Sequence, residues 1–185
     1  MSRRKYHRSQ LQRHRGLRPH QKGAVAIEFA VLFMVFFAVL YAIIAYSIPL
    51  LLTLTFNHLS AEAARAAVRI DPAIGAAEYR QYISKVVQDT VATSWLPEDW
   101  IGDEPCVPPP DTGLQWMSLE TGYAFFATET LGTVPRAQLH VCLQREYNRD
   151  NAIIPILSVF GVDIPSLPKD ENGKTYLRGS TTIRL

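Results

Sequence analysis

A glycine and a carboxylate five residues apart are the first groups in this chain whose spacing could do chemistry. They stand in Lys22-Gly23-Ala24-Val25-Ala26-Ile27-Glu28-Phe29, where only small and aliphatic residues separate Gly23 from Glu28. Glycine has no side chain and leaves its backbone open to close approach, which suits a peptide bond that must enter a protease cleft. Glu28 is the one charged residue in the apolar run GAVAIEFAVLFMVFFAVLYAIIAYSIPLLLTLTF, residues 23 to 56. A carboxylate in a membrane segment costs at least about 2.5 kcal/mol near the centre, less near an interface, and normally has a partner. A cut after Gly23 would create one, the free amino group of Ala24. The other reading is that Glu28, only about 7 Å of helix rise from Gly23, snorkels to the headgroups on that side.

The second chemical pair is Cys106 and Cys142, the only cysteines in the chain. In an oxidising compartment such a pair forms a disulfide, here fastening a proline-rich segment to residue 142. Two buried free thiols are the alternative. A catalytic thiol is disfavoured, because His140 has no evident third partner. Other enzyme signatures are missing. His7, His14 and His20 lie in the basic start of the chain, and His58 and His140 are too sparse for a metal cluster. There is no phosphate-cradling glycine loop and no nucleophile elbow. Glu98, Asp99, Asp103 and Glu104 gather in the proline-rich loop, but their spacing matches no standard calcium site and a solvated acidic surface accounts for them. The expectation is a protein with no enzymatic activity, no cofactor and no metal.

The apolar run must position the first pair. From Ala24 to Phe56 a helix would extend about 50 Å against roughly 30 Å of bilayer hydrocarbon, so one helix can cross and still project. Charge sets the direction. Residues 1 to 23 hold eight of the 19 Lys and Arg and none of the 17 acidic residues, leaving a net of −6 on the remainder. Basic residues flanking a first apolar segment stay on the cytoplasmic side, so the rest of the chain is expected beyond the inner membrane. Nucleic acid is not the expected partner of this basic leader, which has Tyr6 as its one aromatic and adjoins the span. A cleaved secretory signal also fits poorly: Ala61-Glu62-Ala63 has the form of a cleavage site but follows an apolar run more than twice the usual length.

Here the chain resembles the type IV prepilin class, whose leaders are removed after such a glycine by a prepilin peptidase, with a glutamate five residues past the cut. GAVAIEF, the apolar helix and then LSAEAARAAVR resemble more closely the TadE-like pseudopilins of the tight-adherence (Flp) pilus system. The resemblance is specific over about residues 22 to 70. It implies cleavage between Gly23 and Ala24, and an assembly role for Glu28 and Phe29 in which the glutamate meets the terminal amine of a neighbouring subunit. It also implies the inner membrane, the peptidase, other pilin or pseudopilin subunits and the pilus assembly platform as partners. Many pilins carry Phe just after the cut. This chain has Ala24, as is usual on the tight-adherence branch.

The elements that follow are read from pattern. Proline at 49 predicts a bend near Ser47 to Pro49, with Tyr41 and Tyr46 marking the outer headgroups. The alanine-rich stretch 59 to 69 carries the helix on, and small residues at 60, 63, 64 and 67 invite close packing by neighbouring subunits or by the domain's own second helix. Asp71-Pro72 ends this helix and starts another, amphipathic over 75 to 95 through Tyr79, Tyr82, Ile83, Val86, Val87, Thr90 and Val91. Strands are expected at 114 to 119, 123 to 128, 137 to 147 and along Leu177, Thr181, Ile183 and Leu185. Ile153 to Phe160 reads as a short helix with Pro155 in its first turn and Gly161 closing it. The result is an α+β fold, a long N-terminal transmembrane helix with a small antiparallel sheet, and the pseudopilin resemblance implies the same shape. The expected organisation is a basic cytoplasmic leader (1–23), a transmembrane and extended helix (24–70) and a periplasmic α+β domain (71–185). An uncleaved signal-anchor protein with a periplasmic binding domain is the alternative.

Overall fold

In the computed structural model, residues 22–102, 106, 108, 113–131, 134–159 and 161–185 are described. The basic leader before Lys22 and the acidic pair Asp103 and Glu104 lie outside them. The contacts divide the chain into two compact units, one closing at Leu40 and the other running Tyr41–Leu185.

Helix α1 (Lys22–Ala67) contains the whole apolar run. In the first unit every residue from Gly23 to Leu40 is exposed, and the segment Gly23–Ala67 is long and apolar enough to cross a membrane. The expected bend at Pro49 leaves the helix unbroken. Ser47 donates its hydroxyl to the carbonyl of Ile44 at 2.8 Å, and Thr53 donates to that of Pro49 at 2.9 Å. Both hydroxyls are satisfied by the backbone of the helix itself, and the helix runs on through the proline.

The second unit builds its core on the far part of α1. A single 3₁₀ turn (Pro72–Ile74), capped by the Asp71 carboxylate accepting from the Ala73 amide at 2.9 Å, redirects the chain into α2 (Ala76–Ala92). Helix α2 buries Tyr79, Ile83, Val87 and Val91, four of the residues read as its apolar stripe, while Tyr82 stays exposed. Strands β1 (Met117–Ser118), β2 (Ala124–Leu131), β3 (Val134–Glu146) and β6 (Tyr176–Arg184) form an antiparallel sheet in the order β1-β2-β3-β6. This is the α+β layout that the pattern favours.

Alternation along β3 explains how the sheet is covered. Leu139, Val141 and Leu143 share one face and are fully buried. Ala63, Ala64 and Ala67 of α1 pack with Leu139 and Val141, together with Ile83 and Val87 of α2. The small residues therefore serve the domain's own core. Ser60 makes the same choice, its hydroxyl 3.1 Å from that of Thr181 on β6. Gly179 lies opposite Leu143 in the register, where any Cβ would stand 2.6 Å from the Cβ of Phe56 and collide with the backbone of Phe56 and Asn57. A bare backbone is what lets β6 meet α1 this closely.

One element differs from the expectation. Residues 153–160 do not form a helix: β4 (Leu157–Val159) and β5 (Val162–Ile164) make a two-stranded antiparallel hairpin. Gly161, expected as a helix cap, has φ +80° in the turn between them. The run is rich in β-branched residues, which suit a strand, and Pro155 stands ahead of β4 where no ladder hydrogen bond is needed.

Candidate functional site

Two places carry the chemistry that the sequence singles out. The first is the start of α1. Gly23 is helical and exposed, and a Cβ added to it would meet no heavy atom of the described residues within 4 Å. Neither packing by the described residues nor a left-handed backbone requires glycine there, although glycine in a helix costs about 1 kcal/mol relative to alanine. Ala24 and Glu28 are four residues apart, one turn of helix, and so share a face. Glu28 is exposed, and no ion pair joins it to another described residue.

Phe29 begins an aromatic row that the sequence reading did not single out. Its ring centroid is 5.9 Å from that of Phe33, which is 4.5 Å from Phe37, and Phe36 meets Phe37 edge-on at 5.5 Å. The spacing of four residues between 29, 33 and 37 was the available signal. All four rings remain at least half exposed or nearly so, from 48% to 66%. Further along, in the second unit, Leu50, Leu51 and Leu54 are also exposed.

The second place is the other face of β3. Cys106 and Cys142 form a disulfide, with their Cα atoms 5.9 Å apart, and it packs with Phe125 and Trp116. This brings part of the proline-rich segment onto the sheet and buries a face that carries His140, Cys142 and Gln144. Gly102 helps in the approach: its amide donates to the Gln144 carbonyl at 2.8 Å, and a Cβ there would be only 2.8 Å from the same oxygen. His140 lies between the Trp116 and Phe125 rings with Nδ1 2.7 Å from the Thr182 hydroxyl. Among the described residues, its side-chain hydrogen-bond partner is that hydroxyl and not a carboxylate. Burial, and secondarily the positive charge of Arg178, holds its pKa below the ordinary histidine value.

That shift gives a pH dependence of defined sign. The unfolded chain takes up a proton near pH 6.5 while the folded chain resists it, so His140 stabilises the fold relative to acid conditions and the stability falls as pH drops through the ordinary histidine range. Thermal unfolding should occur at lower temperature near pH 5 than near pH 7.5, and His140→Gln should flatten the histidine part of that slope. An unchanged slope in the variant would assign the effect elsewhere.

A cleft between α1 and α2 of about 680 Å³ is lined by His58, Glu62, Asp89, Thr90, Thr93 and Trp95 among others. His58 Nδ1 is 3.7 Å from Glu62 Oε2, both well exposed. Among the described residues no group of three or more His, Cys, Asp or Glu could hold a metal ion.

An exposed apolar helix capable of spanning a bilayer, together with a small disulfide-linked α+β domain, defines a class: a protein that one N-terminal helix among the described residues can anchor in a membrane. Within that class, residues 23–65 match the family model described as TadE-like protein. Its first residue is Gly23 and it covers Glu28 and Phe29. Comparison with curated proteins and with solved structures gives no match.

Proposed function

We propose that this chain is a minor pseudopilin-like component of a tight-adherence (Flp-type) pilus assembly or a related secretion apparatus. Its leader stays in the cytoplasm, a prepilin peptidase cuts between Gly23 and Ala24, and the mature protein remains in the inner membrane with its domain in the periplasm. The observation that carries the reading is the coincidence at the head of the TadE-like match: an exposed helical glycine that no described residue packs against, followed five residues later by a carboxylate with no ion pair among the described residues, in an exposed apolar stretch of helix.

Mechanistically, each residue has its own task. Gly23 admits the peptidase to the bond. Cleavage frees the Ala24 amine, and Glu28 accepts a terminal amine in a low-dielectric setting, where a buried charge is tolerated only when its partner is present. Phe29 and the aromatic row beside it offer the surface on which a neighbouring helix packs. Leu50, Leu51 and Leu54, exposed in the second unit beyond the length a bilayer covers, offer the assembly an apolar surface of their own. Nothing in this role requires catalysis by the chain itself. The partners are structural: the peptidase once, then other pilin-like subunits and the assembly platform.

Two substitutions separate processing from assembly. Gly23→Val should leave a full-length membrane protein that retains its leader, since a branched side chain obstructs approach to the bond. Glu28→Gln keeps the shape and removes the charge, so cleavage should continue while crosslinking to other pilin-like subunits falls. If Glu28→Gln captures partners as well as the parent protein does, the carboxylate only snorkels and its assembly role is lost.

A further inference from the structure

We propose that the β4–β5 hairpin is a second membrane contact, resting its apolar face in the headgroup region of the leaflet at the outer end of the span. Register divides the hairpin into two faces. Leu157 pairs with Ile164 and Ser158 with Asp163, so Leu157, Val162 and Ile164 fall on one side and Ser158 and Asp163 on the other. The polar side is internally satisfied. Ser158 donates its hydroxyl to the Asp163 carboxylate, and Arg149 reaches Asp163 Oδ1 at 2.9 Å and the Ser158 hydroxyl at 2.6 Å. The apolar side is not covered: Leu157 is 45% and Val162 58% exposed.

Both ends of the hairpin are tied to one short stretch of α1. Tyr41 donates its hydroxyl to the carbonyl of Pro155, just before β4, and the Ser166 amide, just after β5, donates to the Tyr46 hydroxyl at 2.9 Å. Tyr41 follows Leu40 directly, and residues 23 to 40 rise about 27 Å as a helix, close to the roughly 30 Å of bilayer hydrocarbon. The hairpin is therefore rooted in the turns where α1 emerges from lipid. Tyrosine is enriched at that depth, and an amphipathic element with one apolar face lies in the same plane. An uncovered apolar face tied to the turns that carry Tyr41 and Tyr46 has lipid as its occupant.

This inference rests on α1 spanning the bilayer, and the test separates the two. The full chain is labelled with an environment-sensitive fluorophore at one introduced cysteine, Val162→Cys, Val31→Cys or Gln88→Cys, without reductant so that the native disulfide stays closed. Each form is inserted into phosphatidylethanolamine and phosphatidylglycerol vesicles with nitroxide-bearing lipids, at two protein densities. The expected result is deep quenching at position 31, shallow lipid quenching at 162 with several-fold slower access to aqueous iodide, and full iodide access at 88. Absence of lipid quenching at 31 would overturn the spanning reading itself. With 31 quenched, a probe at 162 as open to iodide as that at 88 would overturn the hairpin proposal. So would shielding at 162 that depends on protein density and ignores the lipid nitroxides, because a second copy of the chain would then be the occupant. As a second variant, Leu157→Asp combined with the Val162→Cys probe should restore iodide access in vesicles and leave it unchanged in detergent.

Discussion

Gly179→Ala is expected to unfold the domain beyond the span. The added methyl would collide with the backbone of Phe56 and Asn57 and stand 2.6 Å from the Cβ of Phe56. The obstruction is helix backbone, so a rotamer change cannot relieve it. Strand β6 would have to leave α1, opening the packing of Leu143 and Leu177 against Phe56 and Leu59 and breaking the Ser60–Thr181 contact. Overpacking of this kind costs about 3 kcal/mol or more where nothing can yield, a large part of the roughly 5 to 15 kcal/mol available to a domain. Urea unfolding of the full chain in detergent should show a strongly lowered midpoint, or no native baseline, while insertion of α1 is unaffected. A midpoint within experimental error of the parent would mean that α1 and β6 do not meet at this distance.

Loss of the Cys106–Cys142 bond should come next in magnitude. The two residues are separated by 36 positions, for which the chain-entropy model gives roughly 3 to 4 kcal/mol. Beyond that term, the bond holds part of the proline-rich segment over His140, Phe125 and Trp116, so its loss should expose a buried face of the sheet. Cys142→Ala should lower the unfolding midpoint and redshift tryptophan emission, with membrane insertion unchanged. Free thiols in unreduced, denatured protein would contradict the closed pair.

These expectations show what the sequence could and could not carry. The long helix was legible because an apolar run of this length has one physical outcome, and β3 because Leu139, Val141 and Leu143 alternate with polar partners. The cysteine pair was legible from compartment and count. The β4–β5 hairpin was not. Ile153, Ile154, Ile156 and Leu157 form an apolar run too short for period to separate helix from strand, and Pro155 suits the first turn of one as well as the approach to the other. The small residues at 60, 63, 64 and 67 left two partners open, since close packing looks the same in sequence whichever surface arrives. Gly179 and Gly102 gave no signal either, because each depends on an element distant in the chain: α1 for the first and β3 for the second. At the candidate site, the spacing of Gly23, Glu28 and Phe29 is local and needs no fold to be seen. The aromatic row that continues from Phe29 required attention to a spacing of four within a run where almost every position is apolar.

The central claim is that Gly23 marks the end of a removable leader and Ala24 the start of the working protein. Amino-terminal sequencing of the chain recovered from the membranes of cells that carry the prepilin peptidase tests it directly. The account predicts Ala24 as the first residue. A first residue within the leader, Met1 or Ser2, would contradict it and leave an uncleaved signal anchor in its place.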